Sequence, residues 1–291
     1  MKIKVKVPGS CGELVQGVKE GKSFHITCPI NLFSYINIGL NHLSGKIKCP
    51  SFKTKSLKAA EETLKFFKEE GSGIKIEIFS QIPIGKGMAS STADIVGVCS
   101  SLSALLNKKI TASDIARIAL RIEPTDGTLF KGVVVFDHLK GELLQNLGEP
   151  PQMKILVVDM GGRIDTLHFH KKMELKNRDY SKNESETLES LRLVKKGIEE
   201  QNINLIGEGA TLSALSNQKI LFKPKLNFVI SLSKKMGAVG VNVAHSGTVV
   251  GVLLPPDFCQ EDKLKNSLQN LLQKKLRFYE TYLISGGWTF L

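Results

Sequence analysis

Apolar and polar residues alternate along this chain with two different periods, which predict both strands and helices. A period of two marks strands at Lys2–Val7, where lysines face aliphatic side chains, and at Ile74–Phe79. Short apolar runs predict further strands at Gly132–Phe136 and Lys154–Asp159. The expected fold class is α+β. Helical spacing is found at 56–70, from the end of a glycine loop to about 106, and at 111–122, 185–200, 203–216 and 225–236.

Glycine and proline indicate where these elements are interrupted. Three glycines lie among the ten residues Pro8–Gly17, and this density predicts a turn after the first strand. The segment Gly148–Pro151 is the best candidate for a domain boundary, because it combines glycine with two prolines. A chain of 291 residues is long enough for two domains, which we expect at 1–150 and 151–291.

The composition is that of an ordinary globular protein with an excess of positive charge. Hydrophobic residues make up 42% and charged residues 23% of the chain, and the formal net charge is +12. Such a charge invites a nucleic-acid hypothesis. However, the lysines are spread along the chain without interleaved aromatic residues, which favours a solvated strand face. A basic protein also attracts anionic substrates such as nucleotides.

Cysteine usage and hydropathy predict the compartment. The five cysteines form no CxxC pair, so neither a zinc site nor a disulfide framework is indicated. The sequence has no signal-peptide core and no apolar run of membrane-spanning length. We therefore expect a cytoplasmic protein that binds neither membranes nor nucleic acid.

The stretch from Ser80 to Ile95 carries the strongest chemical signal. Gly85 and Gly87 follow the strand at Ile74–Phe79, and small residues then lead into an apolar helix. This order places unpaired backbone N–H groups and the positive end of a helix dipole around one concavity, which is typical of a phosphate site. A helix start capped by a serine or threonine hydroxyl is the simpler alternative.

Two common nucleotide motifs do not fit this stretch. No GKS or GKT closes a four-residue gap as a Walker A loop requires, and the nearby Gly17–Ser23 is one residue too short. Gly85-Lys86-Gly87 begins a GxGxxG pattern, but Ser90 occupies the position of its third glycine. The dinucleotide interpretation is therefore weak.

Two carboxylates, Glu123 and Asp126, lie three residues apart on an irregular segment. Pro124 biases Glu123 out of helical geometry, so we expect the preceding helix to end here. Proline, aspartate and Gly127 are also at home in a surface turn, and the residues by themselves favour that interpretation.

The glycine loop resembles the second motif of the GHMP kinases, PxxxGLGSSAA, over Pro83–Ala93. Three positions depart from it: Met88 replaces leucine, Ala89 replaces glycine and Thr92 replaces alanine. Alanine at position 89 reduces backbone freedom where the loop approaches phosphate.

Further segments carry the same resemblance. Pro8–Gly17 is similar to the opening motif of the family, and Gly237–Gly251 to its third motif, a turn between two C-terminal strands beside the phosphate loop. His245 stands there in place of a small residue. PGSCGELVQG, ITCPINLFS, the glycine loop and IEPTDGTLF occur in family order over nearly the whole chain, and together they resemble the L-threonine kinase branch.

This resemblance implies a fold and an activity. The fold is the two-domain GHMP kinase fold, with a ribosomal-protein-like N-terminal domain that carries the phosphate loop and a ferredoxin-like α/β C-terminal domain. The activity is transfer of the γ-phosphate of ATP, with Mg²⁺, to the hydroxyl of L-threonine, a step in making the nucleotide loop of cobalamin. The resemblance also allows a homodimer.

The resemblance implies roles for the candidate residues as well. Asp126 takes the place of the catalytic aspartate, either as the base or as a group that positions the hydroxyl. Glu123 takes the place of the metal-binding glutamate, although the loop between the two acids is shorter than in mevalonate kinase. Lys86 either neutralises phosphate charge or is solvated, and Arg163 is a weak candidate for a substrate carboxylate.

The full set of expected site residues falls into three groups. Nucleotide-binding residues are Pro83, Gly85, Lys86, Gly87, Met88, Ala89, Ser90, Ser91 and Thr92. Substrate-binding residues are Ser10, Glu13, Gln16 and Asn31, with Glu13 facing an ammonium group. Metal ligands are Ser91 and Glu123.

Several alternatives stay open. In one alternative, the substrate is another small alcohol such as homoserine or pantoate. In a second, the chain is a non-catalytic sensor with this fold. In a third, its positive charge binds nucleic acid. An intact Asp126 and glycine loop argue against the sensor. His168 and His170 alternate on a predicted strand, but no third metal ligand accompanies them, which favours a solvated face. The polar stretch 177–184 predicts a loop.

Overall fold

A computed structural model describes residues 2–41, 45–163, 183–218 and 221–291. His168, His170 and most of the polar stretch 177–184 lie outside the described residues. The strands are β1 (Lys2–Lys19), β2 (Lys22–Leu40), β3 (Ile47–Lys48), β4 (Ile74–Ser80), β5 (Val133–Asp137), β6 (Glu142–Gly148), β7 (Lys154–Asp159), β8 (Gly240–Val243), β9 (Val249–Leu254), β10 (Arg277–Tyr282) and β11 (Thr289–Phe290). The helices are α1 (Thr54–Phe67), α2 (Ser90–Leu105), α3 (Ala112–Leu120), α4 (Glu184–Glu199), α5 (Ile203–Asn217), α6 (Leu226–Lys235) and α7 (Glu261–Leu272).

One sheet runs through the described part of the molecule, in the strand order β10-β7-β9-β8-β1-β2-β4-β3. Strands β1 and β2 form a long antiparallel hairpin at its centre. The two halves of the chain meet where β1 pairs with β8, and Glu13 lies opposite Val243 at this junction. Strand β5 extends from β2 and pairs with β6. A residue on β1 is therefore within reach of both halves of the chain.

The predicted turn at Pro8–Gly17 is wrong, because this segment continues β1. The pairing with β2 changes register between Pro8 and Gly9, between Ser10 and Glu13, and between Glu13 and Val15. Gly12 adopts a φ of 58°, and a Cβ there would lie 2.5 Å from the backbone nitrogen of Ala244. The glycines therefore serve β-bulges and a close strand approach instead of a reversal of the chain.

Helices α1 to α6 confirm the sequence-based prediction within a few residues at each end, whereas α7 was not predicted from the sequence. Helix α3 begins with the expected capping box, in which Thr111 and Asp114 satisfy each other's backbone N–H groups. Strand β7 shows how the sheet is covered on both faces. Ile155 and Val157 enter the larger core with helices α1 to α5, whereas the alternate residues Leu156 and Val158 enter a second core with α6 and α7.

The third motif forms the expected turn between two antiparallel strands, β8 and β9. This turn packs against the glycine loop: the N–H of Thr248 donates to the carbonyl of Lys86 over 2.9 Å. A Cβ placed on Gly87 would lie 2.5 Å from the Cα of Gly247, so the two backbones touch without room for a side chain. None of the helices among the described residues is long and apolar enough to cross a membrane.

Candidate active site

A cleft of about 550 Å³ opens beside the junction of the two halves of the sheet. The glycine loop forms one side of it, and the segment with Glu123 and Asp126 forms another. Residues from β1, β2, the start of α1 and the β8–β9 turn complete the lining. The sequence-predicted residues that line it are Glu13, Pro83, Gly85, Gly87, Met88, Ala89, Ser90, Ser91, Thr92, Glu123, Asp126, Arg163 and His245.

The glycine loop enters α2 through a run of left-handed backbone conformations. The φ angles are 74° at Gly85, 76° at Gly87 and 57° at Ala89. Ala89 is the N-cap of α2, and its side chain offers no hydrogen bond to the helix start. The alternative of a hydroxyl-capped helix is therefore wrong, and the N–H groups of the first turn keep the capacity to bind an anion.

Lys86 extends away from the cleft. Its ammonium lies 2.7 Å from a carboxylate oxygen of Asp159 and 2.7 Å from the carbonyl of Gly162. Asp159 ends strand β7, so this ion pair fastens the glycine loop to the C-terminal half of the chain. Lys86 is therefore held by protein groups rather than by solvent, and it does not line the cleft with the other loop residues.

Asp126 is half-buried at the cleft, just before a short 3-10 turn at Gly127–Leu129. Burial raises its pKa to about 6, with a further rise from the nearby Glu123, while a hydrogen bond from the Thr92 hydroxyl lowers it. Thr92 belongs to α2 and lies 3.4 Å from the carboxylate. The acid therefore faces the helix that starts at the glycine loop, with a pKa close to neutrality, as a general base requires.

Glu123 is almost fully buried, and Lys55 at the start of α1 binds one of its carboxylate oxygens over 2.5 Å. The other oxygen, Oε1, has no hydrogen-bond partner among the described residues. Next to this pair, Lys53 binds Asp94 over 2.5 Å. Sequence reasoning missed both lysines, because lysines at the start of an amphipathic helix look solvated.

Of the four predicted substrate-binding residues, only Glu13 lines the cleft. Burial raises the pKa of Glu13 well above its usual value, and the charge of Asp126 raises it further. Ser10 is buried and its N–H donates to the carbonyl of Met88, which ties β1 to the glycine loop. Asn31 is exposed and accepts a hydrogen bond from the N–H of Tyr282. The amide oxygen of Gln16 lies 2.7 Å from Nδ1 of His245 and accepts a hydrogen bond when that nitrogen carries the proton.

Three histidines meet at the cleft, and only His245 was singled out from the sequence. The rings of His25 and His138 are stacked, with centroids 3.7 Å apart and planes 7° from parallel. The His245 ring is tilted against them, 4.4 Å from His25 and 5.4 Å from His138. A histidine within the apolar strand β2, between Phe24 and Ile26, was the one available signal for His25.

Arg163 lines the cleft on the side of the glycine loop. Its Nε lies 3.4 Å from the carbonyl of Ile84, and the side chain is exposed. This position is beside the loop residues. That Arg163 binds a substrate carboxylate stays a prediction.

Known proteins share these motifs and this fold. The family description "GHMP kinases N terminal domain" matches residues 55–133. An L-threonine kinase of Citrobacter freundii is 31% identical over 290 residues, covering 96% of each chain. An L-threonine kinase of Salmonella typhimurium is 32% identical over 275 residues, covering 92% of this chain and 87% of the relative. The homoserine kinase of Cytophaga hutchinsonii has the same fold, with a TM-score of 0.76 over 100% of this chain and 97% of that one, at 15% identity.

These similarities first define the class of protein: a phosphotransferase that acts on a hydroxyl group. The similarity to curated relatives extends over nearly the full length of the chain, including the glycine loop and the segment with Asp126. The chain belongs to the GHMP kinase family, and the two-domain architecture of the family is the fold described above.

Proposed function

We propose that this chain is an ATP-dependent kinase that transfers the γ-phosphate of ATP to the side-chain hydroxyl of L-threonine. One observation carries the proposal: a single cleft holds both the uncapped start of α2 and the carboxylate of Asp126, whose pKa of about 6 suits a base. The choice of L-threonine rests on the two relatives of that name. Other alcohols such as homoserine and pantoate stay in the test below.

The nucleotide phosphates bind at the glycine loop. The N–H groups of the first turn of α2 face an anion without competition from a capping side chain, and the helix dipole favours negative charge there. Pro83, Gly85, Gly87, Met88, Ala89, Ser90, Ser91 and Thr92 line this part of the cleft. Lys86 acts by holding the loop against Asp159 instead of touching phosphate.

Asp126 accepts a hydrogen bond from the threonine hydroxyl and takes its proton as the oxygen attacks the γ-phosphorus. The new bond joins the threonine oxygen to phosphorus, and the bond from the γ-phosphorus to the bridging oxygen breaks, so that ADP leaves. Thr92 holds the carboxylate of Asp126 in place through its hydroxyl. Phosphoryl transfer depends mainly on positioning the reactants and neutralising the phosphate charge, and these groups can do both.

The acidic residues of the cleft fit a magnesium ion. Glu123 Oε1 is buried without a hydrogen-bond partner among the described residues, which is a position that an oxygen-seeking cation satisfies. Glu123 and Ser91 would hold the ion, and Lys55 keeps the second oxygen of Glu123 in place. The ion would neutralise charge on the phosphates.

Glu13 is the proposed partner of the substrate ammonium, since its buried Oε2 has no hydrogen-bond partner among the described residues. Ser10 supports this region through its bond to Met88, and Gln16 through its contact with His245. We also propose a division into domains 1–150 and 151–291, a cytoplasmic location, a homodimer, no role in binding nucleic acid or membranes, and a product that enters the nucleotide loop of cobalamin.

The decisive experiment measures ADP release with MgATP against L-threonine, L-serine, homoserine, pantoate, mevalonate and galactose, and identifies the product by phosphorus NMR. We expect turnover selective for L-threonine and a phosphate ester on its hydroxyl. Selective turnover of a different alcohol would overturn the substrate assignment but leave the phosphotransferase mechanism. A cleft that binds ATP but turns over none of these alcohols would contradict the proposed function.

A further inference from the structure

The three histidines at the cleft have no role in the phosphoryl transfer described above. His25 lies on β2, His138 follows β5, and His245 lies in the β8–β9 turn, so three distant segments bring them together. One ring nitrogen from each lies within 4.8 Å of a ring nitrogen of the other two. A convergence of this kind at the wall of a substrate cleft points to a ligand.

The histidine cluster is adjacent to Asp126, the proposed base, and to Glu13. A nitrogen of His25 and carboxylate oxygens of Glu13 and Asp126 also lie within 4.8 Å of one another. In L-threonine the carbon that bears the hydroxyl is bonded to the carbon that bears both the ammonium and the carboxylate. When the hydroxyl contacts Asp126, both charged groups of the substrate therefore fall in the region of Glu13 and the histidines.

The lysine and arginine side chains at the described cleft lining are engaged elsewhere. Lys53 is paired with Asp94, and Lys55 with Glu123. Arg163 lies beside the carbonyl of Ile84, on the loop proposed for the phosphates. A substrate carboxylate near Asp126 and Glu13 would meet repulsion from both acids, so it needs hydrogen-bond donors close by, and the imidazole rings are the ones within reach.

We infer that His25, His138 and His245 form the subsite that binds the α-carboxylate of the amino-acid substrate, while Glu13 binds its ammonium group. This inference rests on the proposed function and names how the site distinguishes an amino acid from a simple alcohol. Gln16 acts as a positioning residue, because its contact with Nδ1 of His245 orients that ring. Selectivity then comes from binding the ammonium and carboxylate groups of the substrate at a fixed distance from Asp126.

The stacked geometry favours a carboxylate over a shared metal ion. A metal ion lies in the plane of each imidazole that coordinates it, at about 2.0–2.1 Å from the nitrogen for zinc. Two parallel rings at a centroid distance of 3.7 Å cannot both meet this condition for one ion without rotating. Two stacked rings can, however, present parallel N–H groups to the two oxygens of a carboxylate.

The test compares substrates with and without the carboxylate in the wild type and in two variants of His138. The substrates are L-threonine, L-threoninamide and (R)-1-amino-2-propanol, which keeps the hydroxyl and the amine but lacks the carboxylate. His138→Phe preserves an aromatic ring against His25 but removes the N–H donor, and His138→Gln restores a donor. A thermal melt of each variant verifies that the protein is folded, and His245→Gln repeats the test on the turn.

We expect His138→Phe to lower kcat/KM for L-threonine by about 10- to 100-fold, mainly through KM, because a hydrogen bond to a charged group is lost. The same variant should change kcat/KM for (R)-1-amino-2-propanol by less than about threefold, and His138→Gln should recover part of the loss for L-threonine. Equal losses on both substrates would overturn the inference, as would a wild type that does not distinguish L-threonine from the amine.

Two further outcomes would also overturn it. One is that Arg163→Gln abolishes the preference for L-threonine over (R)-1-amino-2-propanol, while His138→Phe keeps that preference. The other is one equivalent of tightly bound zinc, found by elemental analysis, that is lost in the histidine variants. If the wild type phosphorylates homoserine and not L-threonine, the proposed function fails separately, and the same variants are compared on homoserine and 3-amino-1-propanol. A wild type that accepts no carboxylate-bearing alcohol contradicts both.

Discussion

The two sides of the cleft differ in that one is lined mainly by main-chain groups and the other by side chains. One side, which we call the backbone wall, consists of the glycine loop 83–91 and the β8–β9 turn 244–248, where Gly87 and Gly247 bring two main chains into contact. The other, the side-chain wall, consists of Glu13, His25, Glu123, Asp126 and His138, which come from four separate segments. The first wall offers N–H groups, and the second offers carboxylates and imidazoles.

This difference separates nucleotide binding, on the backbone wall, from substrate recognition and proton transfer, on the side-chain wall. The backbone wall depends on exact main-chain positions, so a substitution there should affect stability and nucleotide affinity together. The side-chain wall holds buried polar atoms that have no hydrogen-bond partner in the described part of the chain, such as Oε2 of Glu13 and Oε1 of Glu123. Such atoms cost stability and persist where they serve function. A substitution on this wall should therefore lower activity while leaving stability unchanged or raised.

The largest expected effect is on the side-chain wall. Asp126→Asn should lower kcat by about 10²–10⁴-fold if Asp126 is the base, because the amide cannot accept the proton. Unfolding in urea should show equal or greater stability, since the variant removes a carboxyl whose pKa is raised by burial and by Glu123. A decrease in kcat of less than tenfold would mean that Asp126 only positions the hydroxyl.

On the backbone wall, Gly87→Ala should raise KM for ATP at least tenfold and lower stability by about 2–4 kcal/mol, from left-handed strain and overpacking together. Gly21→Ala is a matched control, because Gly21 has nearly the same φ, 74° against 76°, with nothing within 4 Å of the added Cβ. The control should lose only about 1–2 kcal/mol and keep its KM for ATP. Equal losses in both variants would show that the contact with Gly247 is unimportant.

The pH dependence of kcat/KM should sharpen the assignment of Asp126. A base with a pKa of about 6 is protonated below that pH, so kcat/KM should fall about tenfold per pH unit on the acidic side. It should reach a plateau above pH 6. The terminal phosphate of ATP titrates in the same pH range. The pH profile of Asp126→Asn shows the effect of the phosphate without that of Asp126. Identical profiles for the wild type and the variant would exclude Asp126 as the titrating group.

The smallest expected effect concerns Ala89, which holds a φ of 57° where the family motif has glycine. Ala89→Gly should stabilise the protein by about 0.5–1 kcal/mol, because it relieves left-handed strain at some cost in backbone entropy. Ala93→Gly, one turn further along α2, should instead destabilise it by about 1 kcal/mol. Urea unfolding measures both, and a stability change of the same sign in both variants would contradict the strain at Ala89.

The glycine loop of the backbone wall was predictable, because it and the elements on either side of it are contiguous in the chain. A strand, closely spaced glycines and a helix start lie within about twenty residues, and their conformations follow from local sterics. Helices α1 to α6 were also predictable within a few residues from the spacing of apolar side chains, whereas α7 was missed. Asp126 was different, since the residues around it by themselves favoured a surface turn. Only the family resemblance indicated a catalytic role.

The sequence by itself therefore determined the α+β class, helices α1 to α6, the glycine loop and the family, since each depends on neighbouring residues or on a motif. The tertiary structure decided that Pro8–Gly17 is a bulged strand, that Lys86 binds Asp159, and that His25, His138 and His245 meet at one cleft. These contacts join residues far apart in the chain. Pairing across a sheet and burial select such contacts, and neither leaves a local pattern in the sequence.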